Sequence, residues 1–365
     1  MNVAQEFDPL YRAALALNLE HSHDGAALAT ITQTRGSTFR RAGASMLVLR
    51  DGRLICELSG GCPQRDIAWR AQQVIDSGQP ALVAYGREAN YDVMIETGCG
   101  GELEVLIEPL QVPRDLQFLD AIAQLRSRRL PGAMATVYAA DGDVLGPRPQ
   151  RLVQGEGVTW SDIEVDALRQ QIAAALPTID ASMPKAATRR MSVDGRSYEV
   201  LVESLLPPHA LVIVGDGVSA RVLAELSVQL GWQTTLVDPA QTTTETSNGI
   251  RHIAASPQAL ATQVVLDHLT SAVVMTHRLE RDLGYLEALL DTPVSYLGVI
   301  GSRQRAAQIQ GALPHGHPRL HMPAGLDVGS ETPQEIALAV AAEILATRNG
   351  RSGGPLTHSQ MPIHP

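Results

Sequence analysis

Over the first 110 residues, apolar positions fall into short runs separated by polar turns. Residues 8–20 (DPLYRAALALNLE) carry helical spacing and open on Asp8-Pro9, a helix-start signal. ALATITQTR (27–35) reads as a strand running into the polar loop GSTFRRAGA (36–44). SMLVLR and RLICELS follow as two strands joined by Asp51-Gly52, a hairpin signal. Cys62 to Ser77 has the apolar stripe of an amphipathic helix, with Gly78 at its C-cap. ALVAYG (81–86) and ELEVLIEPL (102–110) read as further strands, separated by a loop that ends in TGCGGE.

Residues 113–206 repeat parts of this pattern. AMATVYA (133–139), RLVQGEGVTW (151–160), a helix near 162–176 and a hairpin around Asp194-Gly195 echo the first 110 residues. The closing segments match most closely, Glu104 to Glu108 against Glu199 to Glu203, so an internal duplication is one reading and chance similarity the other. Pro207-Pro208 then punctuates the chain. From 210 the rhythm becomes strand, helix, strand: ALVIVG, a helix through Gln229, QTTLVD, SAVVMTH, a helix from Arg281, VSYLGVIG and a long helix over 332–348. This is the pattern of a parallel sheet built from βαβ units. The expected fold class is α/β, a mixed N-terminal domain followed by a Rossmann-like parallel-sheet domain. The expected divisions are 1–112, a middle α/β segment 113–206 that is a candidate for packing against the first, 207–349, and a disordered tail 350–365.

Composition narrows the class. The chain has 365 residues, 44% hydrophobic and 19% charged, which are globular values; aromatics at 4% do not suit a polymer-binding groove. A formal charge of −10 argues against nucleic acid or an anionic membrane as partner. Three cysteines make neither a disulfide framework nor a zinc motif, and they suit a reducing compartment. The first residues lack a secretory pattern, and no apolar run reaches membrane length, so a cytoplasmic location is expected.

Two groups of residues carry candidate chemistry. Gly215, Gly217 and Ala220 form a G-x-G-x-x-A turn between a strand and a helix, and Asp238 closes the next strand where a ribose-binding acid belongs. The helix start offers free N–H groups to a phosphate, while Asp216 adds negative charge in the same loop and counts against a tight NAD(P) site. In the N-terminal part, Cys62 follows Gly60-Gly61 and precedes Pro63, so Pro63 is expected at the first helical position with Cys62 as N-cap. A thiol there feels the helix dipole; the bland alternative is a small residue packed at a tight turn. Cys99 lies in its own glycine-flanked loop with Gly98, Gly100 and Gly101. Arg35, Ser37, Arg40 and Arg41 occupy a third loop, either an anion pocket with the other two or a solvated surface. Cys56 is expected in a strand, packed in the core. His277 at a strand end, and Ser302 and Arg303 at a helix start, sit where ligands of open α/β folds gather, though a scaffold role fits each as well.

TRGSTFRRAGASMLV, ELSGGCPQRDI, TGCGGELEVLIEPL, the Gly215 loop with VDP, VVMTH, YLGVIGSRQR and PAGLDVGSETPQEIALAVAAEI occur in that order. Together they resemble the XdhC/CoxI family, accessory proteins of xanthine dehydrogenase and related molybdenum hydroxylases. The resemblance covers roughly residues 10–110 and 205–348. It implies a chaperone rather than a turnover enzyme: a protein that binds molybdenum cofactor (molybdopterin), protects it, supports its sulfuration with a cysteine desulfurase and delivers it to an apo-hydroxylase, as a homodimer. It implies cofactor binding by Arg35, Ser37, Arg40, Arg41, Gly60, Gly61, Cys62, Cys99, Gly100, Gly101, Gly215, Gly217, Asp238, His277, Ser302 and Arg303, with Cys62 and Cys99 as candidate molybdenum contacts and the cofactor held between the two domains. Gln64 stands where the family commonly has Glu, Phe39 where it has Pro, and Asp216 and Val218 depart in the glycine loop. Two rival readings are an NAD(P)-dependent oxidoreductase and a non-catalytic scaffold.

Overall fold

Small and β-branched residues alternate through Ala26–Arg35 and form β1, buried on both faces: Leu28 turns to one cluster, Ala27, Ala29 and Ile31 to the other. In the computed structural model β1 is the third of six strands. The residues described are 1, 3–17, 19, 25–86, 93–94 (backbone), 100–176, 186–238, 244–313 and 317–360. They divide into two units, Met1–Pro207 and Pro208–Pro365.

The first unit opens with α1 (Ala4–Leu15). After β1 come β2 (Ser45–Leu49), β3 (Leu54–Ile55), α2 (Gly61–Ser77), β4 (Ala81–Gly86), β5 (Val93–Met94) and β6 (Glu102–Leu110). These strands make one sheet in the order β3-β2-β1-β6-β4-β5. The chain continues through α3 (Gln117–Ser127), β7 (Gly132–Ala140), β8 (Asp143–Val144), β9 (Gln150–Gly155), β10 (Val158–Ser161), α4 (Asp166–Ala175), β11 (Ala186–Val193) and β12 (Arg196–Leu205). Its sheet runs β10-β9-β7-β12-β11, with β8 beside β7. The two sheets share one path: a central strand, a hairpin to its one side, a helix, and two strands returning on the other.

The register extends the correspondence to single residues. Ile31 pairs with Val105 and Gln33 with Glu104, leaving Thr32 in a bulge; Val137 pairs with Val200 and Ala139 with Glu199, leaving Tyr138 in another. Helix α2 covers the outer face of the first sheet through Ile67, Ala71 and Val74. Leu168 and Ile172 of α4 do the same for the second. Between the sheets lie Leu106, Tyr138 and Leu201, continuing into a larger cluster closed by Phe7 and Leu10 of α1 and Phe118 and Ile122 of α3. A buried ion pair, Arg151 with Glu108, bridges them, the guanidinium lying 4.1 Å from the Phe118 ring centroid.

The second unit has β13 (Ala210–Val214), α5 (Val218–Gln229), β14 (Gln233–Val237), β15 (Glu245–Ser247), β16 (Ile250–Ile253), α6 (Leu260–Gln263), β17 (Thr270–Val274), α7 (Leu279–Leu290), β18 (Tyr296–Val299), α8 (Arg303–Ala312), β19 (Leu320–His321) and α9 (Pro333–Arg348). The sheet order is β15-β16-β14-β13-β17-β18-β19, parallel except for β15. Helices α5 and α9 cover one face, α7 and α8 the other. From β13 the chain winds outward first through β14 and then back through β17, so the order reverses between β13 and β17.

Local differences from the sequence reading have local causes. Helix α1 begins at Ala4, with Pro9 inside it, because the buried positions Phe7, Leu10 and Ala14 start before Asp8-Pro9. Strand β3 ends at Ile55, and Cys56 follows at φ 68°, half-buried rather than in the core. Helix α3 has no counterpart in the sequence reading, although Phe118, Ile122 and Leu125 carry its stripe. Of the tail, 350–360 follow α9 with a single 3-10 turn, Leu356–His358, and 361–365 lie outside the described residues. No helix among the described residues is long and apolar enough to cross a membrane.

Candidate functional site

Helix α2 runs antiparallel to β1. Its last turn meets the start of β1, where a Cβ on Gly25 would lie 3.3 Å from Ile75, and Arg50 binds Asp76 at 3.0 Å. Asp66 in its first half accepts from Tyr85, which pairs with Leu103. The first turn of α2 therefore lies toward the sheet end that carries Arg35, Gly101 and Glu102.

At that end two loops touch. A Cβ added to Gly101 would stand 2.0 Å from the carbonyl oxygen of Ser37 and 2.7 Å from the Thr38 methyl, so only glycine allows this approach. Arg35 and Glu102 face each other in register. Thr38 donates to the Arg40 carbonyl at 2.7 Å, which folds the loop back on itself. Arg40 is taken up by Glu6 of α1 and braces the loop, whereas Arg35 and Arg41 are exposed.

Cys62 lies one position inside the helix rather than at its cap. Gly60 is the N-cap and α2 begins at Gly61, which takes φ 68°, so Pro63 falls at the third helical position. The reason is Gln64, whose Oε1 accepts from Leu58 N–H at 3.2 Å and Ser59 N–H at 3.1 Å, tightening the turn before the helix. The residue that stands in place of the family's acid thus shapes the turn that presents Cys62. The thiol is exposed and accepts from the Arg65 guanidinium at 3.4 Å. Cys56 differs: its thiol is half-buried, donates to the Glu6 carbonyl at 3.8 Å, and is pushed up to about 11 by burial and the nearby Glu6 carboxylate. Cys99 lies outside the described residues; Gly100 beside it is exposed.

The second unit gathers its candidates at the carboxyl ends of its strands. Gly215 has φ 147°, and a Cβ there would lie 2.7 Å from the Met275 carbonyl oxygen, so the β13 loop presses on the end of β17. Gly217 caps α5, and a Cβ on it would be 3.9 Å from His277 Nε2. His277 is exposed at φ 59°. Its loop is held by Asp282, fully buried, which accepts from Thr276 N–H at 3.2 Å, Thr276 Oγ1 at 2.6 Å and Arg305 at 2.5 Å. Sequence reading missed this anchor, because Asp282 and Arg305 stand 23 positions apart and no local pattern pairs them. Ser302 is engaged as N-cap of α8, accepting from Arg305 N–H at 3.2 Å, while Arg303 is exposed. Asp238 directly follows β14, its N–H donating to the Ile253 carbonyl. The structure therefore brings Gly215, Gly217 and His277 together at the reversal between β13 and β17, the crevice position of open α/β sheets. Among the described residues no group of three or more His, Cys, Asp or Glu is placed to hold a metal ion.

A two-unit α/β chain with a Rossmann-like second unit and cysteine- and arginine-bearing loops on the first is the class this geometry defines. The XdhC Rossmann domain matches residues 211–344, and the XdhC and CoxI family matches residues 19–86. The chain belongs to the XdhC/CoxI family. It is 27% identical over 338 residues to a probable xanthine dehydrogenase subunit of Bacillus subtilis (strain 168), covering 90% of this chain and 95% of that protein. It is 25% identical over 334 residues to the molybdenum cofactor insertion chaperone PaoD of Escherichia coli (strain K12), covering 90% and 85%. A crystal structure at 2.80 Å of a protein described as a xanthine dehydrogenase from Bacillus halodurans shares the fold, with TM-score 0.74, 22% identity and coverage of 97% and 98%.

Proposed function

We propose that this protein is an accessory chaperone that binds molybdenum cofactor, protects it, and supports its sulfuration and insertion into a xanthine dehydrogenase-type hydroxylase. Its family and its likeness to PaoD support that role over a turnover enzyme. The observation that carries the reading is the contact of Gly101 with Ser37. It gathers the exposed Arg35 and the arginine loop at the sheet end toward which Cys62 is presented. These groups suit the cargo. Guanidinium forks and the N–H groups at the start of α2 are hosts for its phosphate, and an accessible thiol is a soft ligand for a dithiolene-bound metal. Arg35, Ser37, Arg41, Gly60, Gly61, Cys62, Gly100 and Gly101 would hold it, with Cys99, the sequence neighbour of Gly100, as a further candidate; Arg40 acts through its brace to Glu6. The cofactor supplies the oxidisable metal centre that makes shelter necessary. Gly215, Gly217, Asp238, His277, Ser302 and Arg303 form a second candidate surface for a phosphate-bearing part of the cargo. The expected partners are the apo-hydroxylase, a cysteine desulfurase and a second copy of the chain.

Anaerobic purification from cells making molybdopterin, followed by assay of bound molybdenum and pterin, tests the reading. Near-stoichiometric pterin is expected, falling in Cys62→Ala and in the double variant Arg35→Ala, Arg41→Ala. Stoichiometric NAD(P) with no pterin would replace it by an oxidoreductase reading.

A further inference from the structure

A groove of about 180 Å³, open to solvent, runs beside the same sheet end, lined by Gln33, Arg35, Ala84, Glu102 and Glu104. Glu104 is held unusually well. Its Oε1 accepts from Thr32 Oγ1 at 2.5 Å, Tyr138 Oη at 3.2 Å and Gln33 Nε2 at 3.3 Å. Burial raises the Tyr138 pKa, so that hydroxyl stays a donor. Three donors on one oxygen fix the carboxylate's orientation, while Oε2 accepts no hydrogen bond among the described residues. Arg35 and Glu102 likewise have no ion-pair partner among the described residues.

We infer that Glu104 reads a 2-amino-4-oxopyrimidine edge, the donor edge of a pterin ring, with Arg35 taking the anionic substituent of the same ligand. The inference rests on the chaperone reading and locates the pterin within it. The chemistry is that of paired donors: the exocyclic amine and the adjacent ring N–H of such an edge both point outward, and the open Oε2 of Glu104 takes the amine while the amide oxygen of Gln33 takes the ring N–H. Replacing the amine by a carbonyl sets an oxygen against that carboxylate and strips a fixed acceptor of its partner. Gln33, already bonded to Glu104, keeps its amide oxygen for a further donor.

The test is fluorescence titration of the full chain with pterin-6-carboxylate and with lumazine-6-carboxylate, which carries a 2-oxo group instead of the 2-amino group. Wild type should bind the pterin about tenfold or more tightly than the lumazine. Glu104→Gln preserves the acceptor for Thr32 and Tyr138 but presents an amine to the ligand, and should abolish the preference. Arg35→Ala should weaken both ligands alike and leave the preference intact. Equal binding of the two ligands by wild type, or a preference unchanged in Glu104→Gln, overturns the inference. Tighter binding of guanosine monophosphate than of the pterin, lost in Glu104→Gln, also overturns it, by assigning the edge to a nucleotide. If the chain purifies with molybdopterin yet fails the titration, only the pterin site is lost. If it purifies without molybdopterin yet discriminates, the chaperone reading fails and the pterin site stands.

Discussion

Thr32 and Tyr138 sit at the same bulge of two equivalent strands, and both donate to one oxygen of Glu104. The bulge turns each side chain out of the strict alternation of its strand. Thr188 on β11 extends the link, donating to the Thr32 carbonyl at 2.9 Å. The two sheets are thus joined by a polar seam, beside the Arg151–Glu108 pair that also bridges them. Outside that seam the copies differ: the first places Gly60, Gly61 and Cys62 at the start of its helix, the second Asp162, Ile163 and Glu164 just before its own. Only the first carries the thiol and the glycine turn, so the second serves as its packing partner.

Tyr138→Phe should lower stability by about 1–3 kcal/mol, the worth of a hydrogen bond to a charged group. Thr32→Val should cost a similar amount. Because both donors converge on Glu104 Oε1, the double variant should depart from additivity. Urea unfolding of the single and double variants checks this, and strict additivity would mean the seam does not act as a unit.

Much of this unit was legible because strand alternation and glycine turns are local signals. β4 at 81–86 and β6 at 102–110 have the bounds their apolar runs imply. The EVLIE and EVLVE segments are the matching strands β6 and β12. The bulges left no local signal, since Thr32 and Tyr138 look like ordinary strand residues until their partners 34 or more positions away are in place. The same holds at the site. Cys62 and the glycines announced themselves, but Glu104 lay inside the strand run 102–110 and drew notice only as the start of a repeated segment. Arg40 looked as available as Arg41, and only the folding of α1 onto the loop brings Glu6 to it.

Gly101→Ala should be far more damaging than Gly60→Ala. At Gly101 the new methyl would overlap the Ser37 carbonyl, forcing the two loops apart at about 1–3 kcal/mol. At Gly60 φ is −102° and nothing lies within 4 Å, so a methyl meets open space. Stability should fall in the first variant and stay close to wild type in the second, as measured by urea unfolding.

Cysteine labelling should separate the two described thiols. In a Cys99→Ser background, iodoacetamide at pH 8 should modify Cys62 well before Cys56, because one is exposed and the other is half-buried with its thiol pushed up to about 11. The same shift predicts a pH effect on stability. The unfolded thiol ionises near its ordinary 9.0, the folded one only near 11, so the contribution of Cys56 is complete below pH 9 and is lost as pH rises through 11. A Cys56→Ser variant should lose this component of the alkaline stability profile. Mass-spectrometric mapping that found Cys56 modified first would contradict the placement of both residues.

Arg305→Ala should unsettle the second unit by leaving a buried carboxylate short of its cation. Asp282 is fully buried and holds three donors, and removing the guanidinium leaves its charge served only by Thr276. Breaking a buried pair from one side costs about 3–5 kcal/mol. The loss should fall on the loop that carries His277, because Thr276 is bonded to the same carboxylate. Asp282→Asn with Arg305→Met removes both charges and should recover much of the stability, since no unpaired ion then stays buried. Hydrogen exchange resolved to the 275–282 segment distinguishes the outcomes. Faster exchange there in Arg305→Ala, reversed in the double variant, is expected; equal exchange in all three proteins would show that the pair does not position His277.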